Sequence, residues 1–112
     1  MRIPKIHKLK VWLKYYSEIE NENKTFELRK NDRGFQVNDY LYLQPFDNDK
    51  NKEVAIGRTL AKITYILSDA KEFGLTEGYA ILGLKFWRNF TEEERLIFRL
   101  IESGKITWMD KW

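Results

Sequence analysis

The sequence contains no cysteine, a single histidine and no long apolar run. Without cysteine, neither a disulfide framework nor a cysteine-based zinc site can form, and one histidine is too few for a conventional zinc site. We therefore expect neither a metal nor another cofactor. No stretch approaches the roughly 18 apolar residues that span a bilayer, and residues 1–10 lack the apolar region of a secretory signal. These absences predict a cytoplasmic protein, with no membrane partner, whose fold depends on its apolar core.

The length of 112 residues favours one domain, which at this size buries roughly two-thirds of the surface exposed in the unfolded chain. Twenty basic and 17 acidic residues give a net charge of +3, which permits a polyanionic partner without demanding one. Aromatic residues make up 15% of the chain. Aromatic rings can stack on nucleobases, but in a small domain they more often build the core.

Hydrophobic periodicity predicts short strands joined by tight turns, with one helix after the first strand and one near the end. In the first helix, Trp12, Tyr16 and Ile19 are expected to form one apolar stripe. Gly34 and Asn38 mark turns with left-handed backbone. The predicted strands are 6–11, 24–30, 40–46, one or two strands within 53–67 that bend at Gly57-Arg58, and 78–86; the first helix is 12–21.

The second helix carries the strongest local signal. Thr91 is an N-cap residue and Glu94, three residues later, completes a capping box, while Gly104 is expected to end the helix. The tail, 105–112, is too apolar for a free terminus and is expected to dock on the barrel or on another subunit. The expected apolar stripe of this helix is Leu96, Ile97, Leu100 and Ile101.

The segment 22–29 resembles the G-x-K-x-x-E-x-R signature of ASCH domains, a branch of the PUA-like superfamily. Lys24, Glu27 and Arg29 match the signature, whereas Glu22 replaces its glycine.

The chain resembles more closely the bacterial and phage family catalogued as domain of unknown function number 3850. That family has the pattern K-T-F-E-I-R-K-N-D-R-x-F-Q-V-G-D, which 24–39 reproduces with Leu28 for isoleucine and Asn38 for glycine. The resemblance covers about residues 5–86. Its further motifs are H-x-L-K at 7–10, V-T-Y-I-L at 63–67 and G-Y-x-x-L-G at 78–83.

The resemblance implies an α+β fold, a PUA-like (ASCH-type) mixed β-barrel of about five to six strands with a helix after the first strand and an added C-terminal helix. We expect residues 1–88 to form the barrel and residues 89–112 to form a C-terminal helix and apolar tail. For ASCH domains in general the resemblance suggests RNA or nucleotide binding. Some relatives are hydrolases acting on acetylated cytidine, and some are ribonucleases.

The implied site is a cleft lined by the strand that carries Lys24, Glu27 and Arg29. A lysine and an arginine beside a carboxylate can hold a phosphate, while the carboxylate accepts a proton or a base donor. The alternative is a surface ion pair worth at most about 1 kcal/mol, or a buried pair that fixes the barrel. The predicted ligand-binding residues are Lys10, Lys24, Glu27, Arg29, Lys30 and Arg33.

Three functions follow from these residues. The leading one is a nucleic-acid-binding module, with RNA as the partner. The second is a small hydrolase or nuclease acting on a nucleotide or RNA, with Lys24 and Glu27 as the candidate catalytic residues. The third is a protein-interaction domain that forms a homodimer through the C-terminal helix and tail. A deep closed pocket with Glu27 at its floor favours the enzyme, and an open basic groove favours binding.

Overall fold

The structure, a computed structural model, describes residues 3–54, 57 and 59–104. These residues form one six-stranded sheet and two α-helices, which confirms the predicted α+β class and the position of both helices. The strands are β1 (Ile6–Trp12), β2 (Phe26–Lys30), β3 (Tyr40–Asp47), β4 (Lys52–Glu53), β5 (Thr59–Leu67) and β6 (Tyr79–Phe86), and the helices are α1 (Leu13–Glu20) and α2 (Glu92–Glu102).

The sheet has the strand order β1-β3-β5-β6-β2, with β4 added beside β3. The β1–β3 pair is parallel, and the other pairs are antiparallel. The sheet curls into a half-barrel, so that its two end strands approach each other: the Arg33 side chain, just beyond β2, reaches the backbone of β1 at Lys8. We call this side of the half-barrel, where side chains rather than a backbone ladder connect β1 and β2, the seam.

Two apolar clusters stabilise the sheet from opposite faces. The first fills the inside of the curl with residues from β1, β3, β5 and β6, together with Ile19 of α1 and Phe35. The second lies between the outer face of the sheet and α2, where Phe98 contacts the rings of Tyr40 and Tyr42 with centroids 5.5 Å apart in both cases. Burial of these clusters at roughly 25 cal/mol per Å² is the main favourable term of folding.

The buried face of α2 differs from the predicted stripe. Ile101 is buried as expected, but Phe98 is the other buried residue, and Leu96 is exposed. The reason is tertiary: the helix turns its aromatic ring towards Tyr40 and Tyr42, which offer the larger contact area.

The start of α2 is fixed by Glu94. The predicted capping box with Thr91 is present, and the same carboxylate accepts hydrogen bonds from Lys62 at 2.5 Å and Lys85 at 2.7 Å. Burial raises the pKa of Glu94, but the hydrogen bonds from Lys62, Lys85 and the Thr91 N–H outweigh it and lower the pKa to about 2. Glu94 therefore clamps α2 to β5 and β6.

Several strand and helix details depart from the predictions. Trp12 is half-exposed, so only Tyr16 and Ile19 of the predicted stripe are buried. β3 extends to Asp47, one residue beyond the predicted end, and includes Pro45, which faces Val11 in the parallel β1–β3 pair. The predicted stretch 53–67 is divided into two strands, since β4 ends at Glu53 and β5 begins at Thr59, and β5 has an additional register irregularity between Ile63 and Tyr65. The predicted role of Arg58 and the predicted docking of 105–112 lie outside the described residues.

Candidate functional site

Strand β2 has the opposite side-chain orientation to an ordinary amphipathic strand. Side chains alternate between the two faces of a sheet, and here the apolar residues take the outer face, with Phe26 46% and Leu28 54% exposed. Glu27 points inward instead and lies opposite the buried Leu82 of β6. A strand that buries a carboxylate and exposes its apolar side chains is unfavourable for stability alone. The arrangement therefore marks β2 as a candidate functional element.

Both oxygens of the Glu27 carboxylate are held by cations. Lys24 Nζ donates to Oε1, and Arg29 Nε donates to Oε2 at 3.1 Å. Lys24 precedes β2, and its ammonium also donates to the Phe26 carbonyl at 2.9 Å, which turns it to the Glu27 side of the strand. The Glu27 side chain is 5% exposed, against 20% for Lys24 and 27% for Arg29. The three residues predicted from the signature thus form one cluster with a buried anion and two half-buried cations.

Arginine side chains connect the two edges of the seam. Arg29 Nη2 donates to the main-chain carbonyl of Lys10, and Arg33 Nη1 donates to that of Lys8 at 2.8 Å. Because the sheet order ends at β1 and β2, these bonds take the place of a backbone ladder. Arg29 consequently has two roles: it pairs with Glu27, and it connects β2 to β1 across the seam.

A cleft of about 610 Å³ lies along the seam above this cluster. Among the described residues, its lining contains four cations and a single carboxylate, with Lys10 and Lys30 exposed at its rim and Glu27 at its floor. The cleft opens to solvent, which is the geometry of a binding groove. Its lining residues are Lys10, Val11, Trp12, Tyr15, Lys24, Phe26, Glu27, Leu28, Arg29, Lys30 and Tyr79.

Exposed aromatic rings stand at the rim of the cleft, each near a lysine ammonium. Trp12 and Tyr15 are nearly parallel, with an interplanar angle of 12° and centroids 6.3 Å apart, and the ammonium of Lys14 lies within 5.2 Å of both centroids. Lys24 lies 5.0 Å from the centroid of Phe26. Rings that are open to solvent and adjacent to cations are suited to stacking on flat, anionic ligands.

Most of these rings do not stand out in the sequence. Trp12 is expected in the apolar stripe of the first helix but is half-exposed, and no motif marks Tyr15 or Phe26 as binding residues. Among the other rings, Tyr79 also lines the cleft, whereas Tyr40, Tyr42 and Phe86 are buried. The available signal was the spacing of Trp12 and Tyr15, which places two rings side by side where α1 begins.

Five of the six predicted binding residues line the cleft together. The exception is Arg33, which holds the seam instead. Three other cations form ion pairs away from the cleft: Lys62 and Lys85 bind Glu94, and Arg88 pairs with Glu22. The five residues that come together are Lys10, Lys24, Glu27, Arg29 and Lys30.

His7 lies in β1 but does not line the cleft. Its Nε2 is 2.8 Å from Oδ2 of Asp39, and both side chains are fully buried. Asp39 also accepts the backbone N–H groups of Lys5 and Gln36 at 3.1 Å. This pair therefore ties the start of β1 to the turn before β3.

Two departures from the family patterns fall at left-handed backbone. Glu22, at the glycine of the ASCH signature, has φ of +60°, and Asn38, at a glycine of the closer pattern, has φ of +80°. Glycine is the residue that adopts this conformation without a steric penalty, and asparagine is the better tolerated substitute. The structure thus keeps the turns that the two glycines would make.

A family model described as "Domain of unknown function (DUF3850)" matches residues 6–84, which include β1 to β5 and all but the end of β6. The match contains every residue that lines the cleft. No curated protein matches the chain. In the described part of the chain, no helix has the length and apolarity to cross a membrane.

Proposed function

The chain belongs to the DUF3850 family, and we propose that it binds single-stranded nucleic acid, specifically RNA, in the cleft between β1 and β2. The observation that carries this proposal is the combination, in one open groove, of four cations with exposed aromatic rings. Proteins that bind single strands combine a positively charged groove for the backbone with aromatic side chains on which the bases stack.

The preference for RNA over other polyanions rests on the resemblance to ASCH domains. A curled six-stranded sheet with a helix after its first strand is compatible with a PUA-like barrel. Lys24, Glu27 and Arg29 occupy the three charged positions of the signature and meet in space. These two features support the PUA-like assignment and, with it, an RNA partner.

The alternative is hydrolysis of a nucleotide or RNA, and the buried position of Glu27 favours it. A carboxylate at the floor of a cleft is a suitable general base when it can reach a water molecule. Here the cleft is an open groove and not a deep closed pocket. This openness favours binding over catalysis.

The test is fluorescence anisotropy of short labelled single-stranded RNA, duplex RNA and single-stranded DNA at low salt. We expect the parent to bind single-stranded RNA, and Lys10→Ala and Lys30→Ala to weaken this binding. Lys71→Ala, an exposed lysine outside the cleft, is the matched control and should have no effect. Absence of binding at low salt, or equal effects of all three variants, would contradict the proposal. Recovery of shortened RNA from the same samples would favour the enzyme.

A further inference from the structure

We infer that the floor of the cleft reads the Watson–Crick edge of one unstacked base of the uracil or thymine type; this rests on the proposed function. The carboxylate of Glu27 lies between two cations, with Lys24 on Oε1 and Arg29 on Oε2. From one side to the other, the floor therefore presents a donor, an acceptor and a donor.

Each of the three groups has hydrogen-bonding capacity beyond its contacts within the described residues. A carboxylate has about four lone-pair sites, and Glu27 uses one on each oxygen. A lysine has three N–H donors, of which Lys24 directs two to Glu27 and the Phe26 carbonyl. An arginine has five, of which Arg29 directs one to Glu27 and one to the Lys10 carbonyl. A ligand can thus bond to all three without displacing an internal partner.

The imide edge of uracil or thymine complements this pattern. Its O2 and O4 are acceptors and its N3–H, between them, is a donor. Cytosine presents two adjacent acceptors and one donor, guanine one acceptor and two adjacent donors, and adenine only one of each. A base with a mismatched edge leaves a charged group of the floor without a hydrogen-bond partner, or places a donor against a donor or an acceptor against an acceptor. Either arrangement is costly in a partly buried site.

A phosphate is a poorer ligand for the floor than for the rim. The two floor cations already pair with Glu27, whose carboxylate lies between them, so the floor attracts a second anion less than unpaired cations would. Lys10 and Lys30 are exposed at the rim, where phosphates can reach them from solvent. A nucleotide bound with its base at the floor and its phosphate at the rim thus meets groups of the right charge at both ends.

The inference also requires an unpaired base. In a duplex the imide edge is already bonded to its partner base, so only a single strand, a loop or a free nucleotide can offer it. The rings of Trp12, Tyr15 and Phe26 at the rim can replace the stacking that such a base loses.

The experiment compares oligonucleotides of equal length and charge on the unmodified protein. Single strands of uridine, N3-methyluridine and cytidine are titrated by anisotropy at one low salt concentration. We expect uridine strands to bind at least about tenfold more tightly than the other two, in line with the discrimination of one good base contact. N3-methylation removes the donor and places a methyl group against Glu27, while the phosphates are unchanged.

Each outcome separates the base inference from the proposed function. Equal, salt-dependent affinities for all three strands would overturn the base inference and leave RNA binding standing. No affinity for any strand would overturn both. The same preference for uridine 5′-monophosphate over its N3-methyl form would support recognition of the imide edge and would identify a free nucleotide as the ligand. A preference that appears only with oligonucleotides would also support recognition of the imide edge, and would identify RNA as the ligand.

A variant gives a second test on the protein side. Glu27→Leu removes the acceptor, and we expect it to abolish the preference for uridine over N3-methyluridine while salt-dependent binding persists. Retention of the full preference in a folded Glu27→Leu protein would contradict the assignment. If this variant does not fold, the ligand series on the parent protein decides the question alone.

Discussion

The guanidinium of Arg33 donates a hydrogen bond of 2.8 Å to the main-chain carbonyl of Lys8, and so joins the chain just beyond β2 to the edge of β1. Arg29 makes the same kind of bond to the carbonyl of Lys10. Between them, the two arginines close a half-barrel whose end strands are not paired with each other. The cleft is therefore a consequence of an incomplete barrel, and its width is set by two side chains.

Arg33→Ala should destabilise the protein. Hydrogen bonds from charged donors are worth about 1.5–3 kcal/mol, and we expect a loss of about 1–2 kcal/mol because the carbonyl of Lys8 can be rehydrated at the seam. Urea denaturation followed by tryptophan fluorescence measures the change. Lys30→Ala, an exposed residue of the same strand region, is the control and should shift the free energy of unfolding by no more than about 0.5 kcal/mol. Equal stability of Arg33→Ala and the parent would contradict this role.

Glu27→Leu separates a structural ion cluster from a functional one. Removing one partner of a fully buried ion pair is costly because the remaining charge loses its compensation. Here the remaining cations, Lys24 and Arg29, are 20% and 27% exposed, so both can be hydrated once the carboxylate is gone. We therefore expect the free energy of unfolding to stay within about 1 kcal/mol of the parent or to rise. A loss of about 3 kcal/mol or more in chemical denaturation would show that the cluster exists to hold the barrel.

Tyr15→Ala should weaken RNA binding without changing stability. One stacked base is worth about 1–3 kcal/mol, so we expect affinity to fall by about tenfold. Tyr15 is exposed, and its removal leaves the apolar clusters intact. Phe73→Ala is the matched control, because Phe73 is 86% exposed and lies outside the cleft. Similar affinities of the two variants would argue against stacking at the rim.

The stability of the protein should fall at low pH because of Glu94. The folded-state pKa of Glu94, about 2, is lower than the ordinary value of 4.5, so its contribution is complete above about pH 4.5 and is lost as the pH falls through 2. We expect Glu94→Gln, which keeps a capping-box side chain, to cost on the order of 1–2 kcal/mol at neutral pH after solvent screening is allowed for. The difference from the parent should disappear near pH 2. A difference that is independent of pH would mean that the charge on Glu94 is irrelevant.

Elements specified by local chemistry could be predicted from the sequence. The start of α2 follows from Thr91 and Glu94, whose capping bonds span three residues and need no tertiary partner. The left-handed turn at Asn38 is equally local. The buried face of α2 could not be predicted, because Phe98 competes with Leu96 for a surface that only the folded sheet provides.

The candidate site could likewise be predicted from the sequence only in part. The alternation of β2 fixes that Phe26 and Leu28 share one face and that Glu27 lies on the other, but it does not say which face is inside. The usual preference of apolar side chains for the core would place Phe26 inside, but in the curled sheet Phe26 lies on the outer face. The approach of Lys10 to Arg29 likewise depends on β1 and β2 meeting across the seam, which a residue pattern does not encode.

The salt dependence of RNA binding, measured for the parent and for cleft variants, tests the central claim most directly. Each phosphate that a lysine neutralises contributes about 0.7 to the slope of log affinity against log salt for a single strand. We predict a clear negative slope for the parent and a slope smaller by about 0.7 for Lys30→Ala, with Lys71→Ala unchanged. An affinity that does not vary with salt, or a slope that Lys30→Ala and Lys71→Ala reduce equally, would contradict the claim that the cleft between β1 and β2 binds the nucleic-acid backbone.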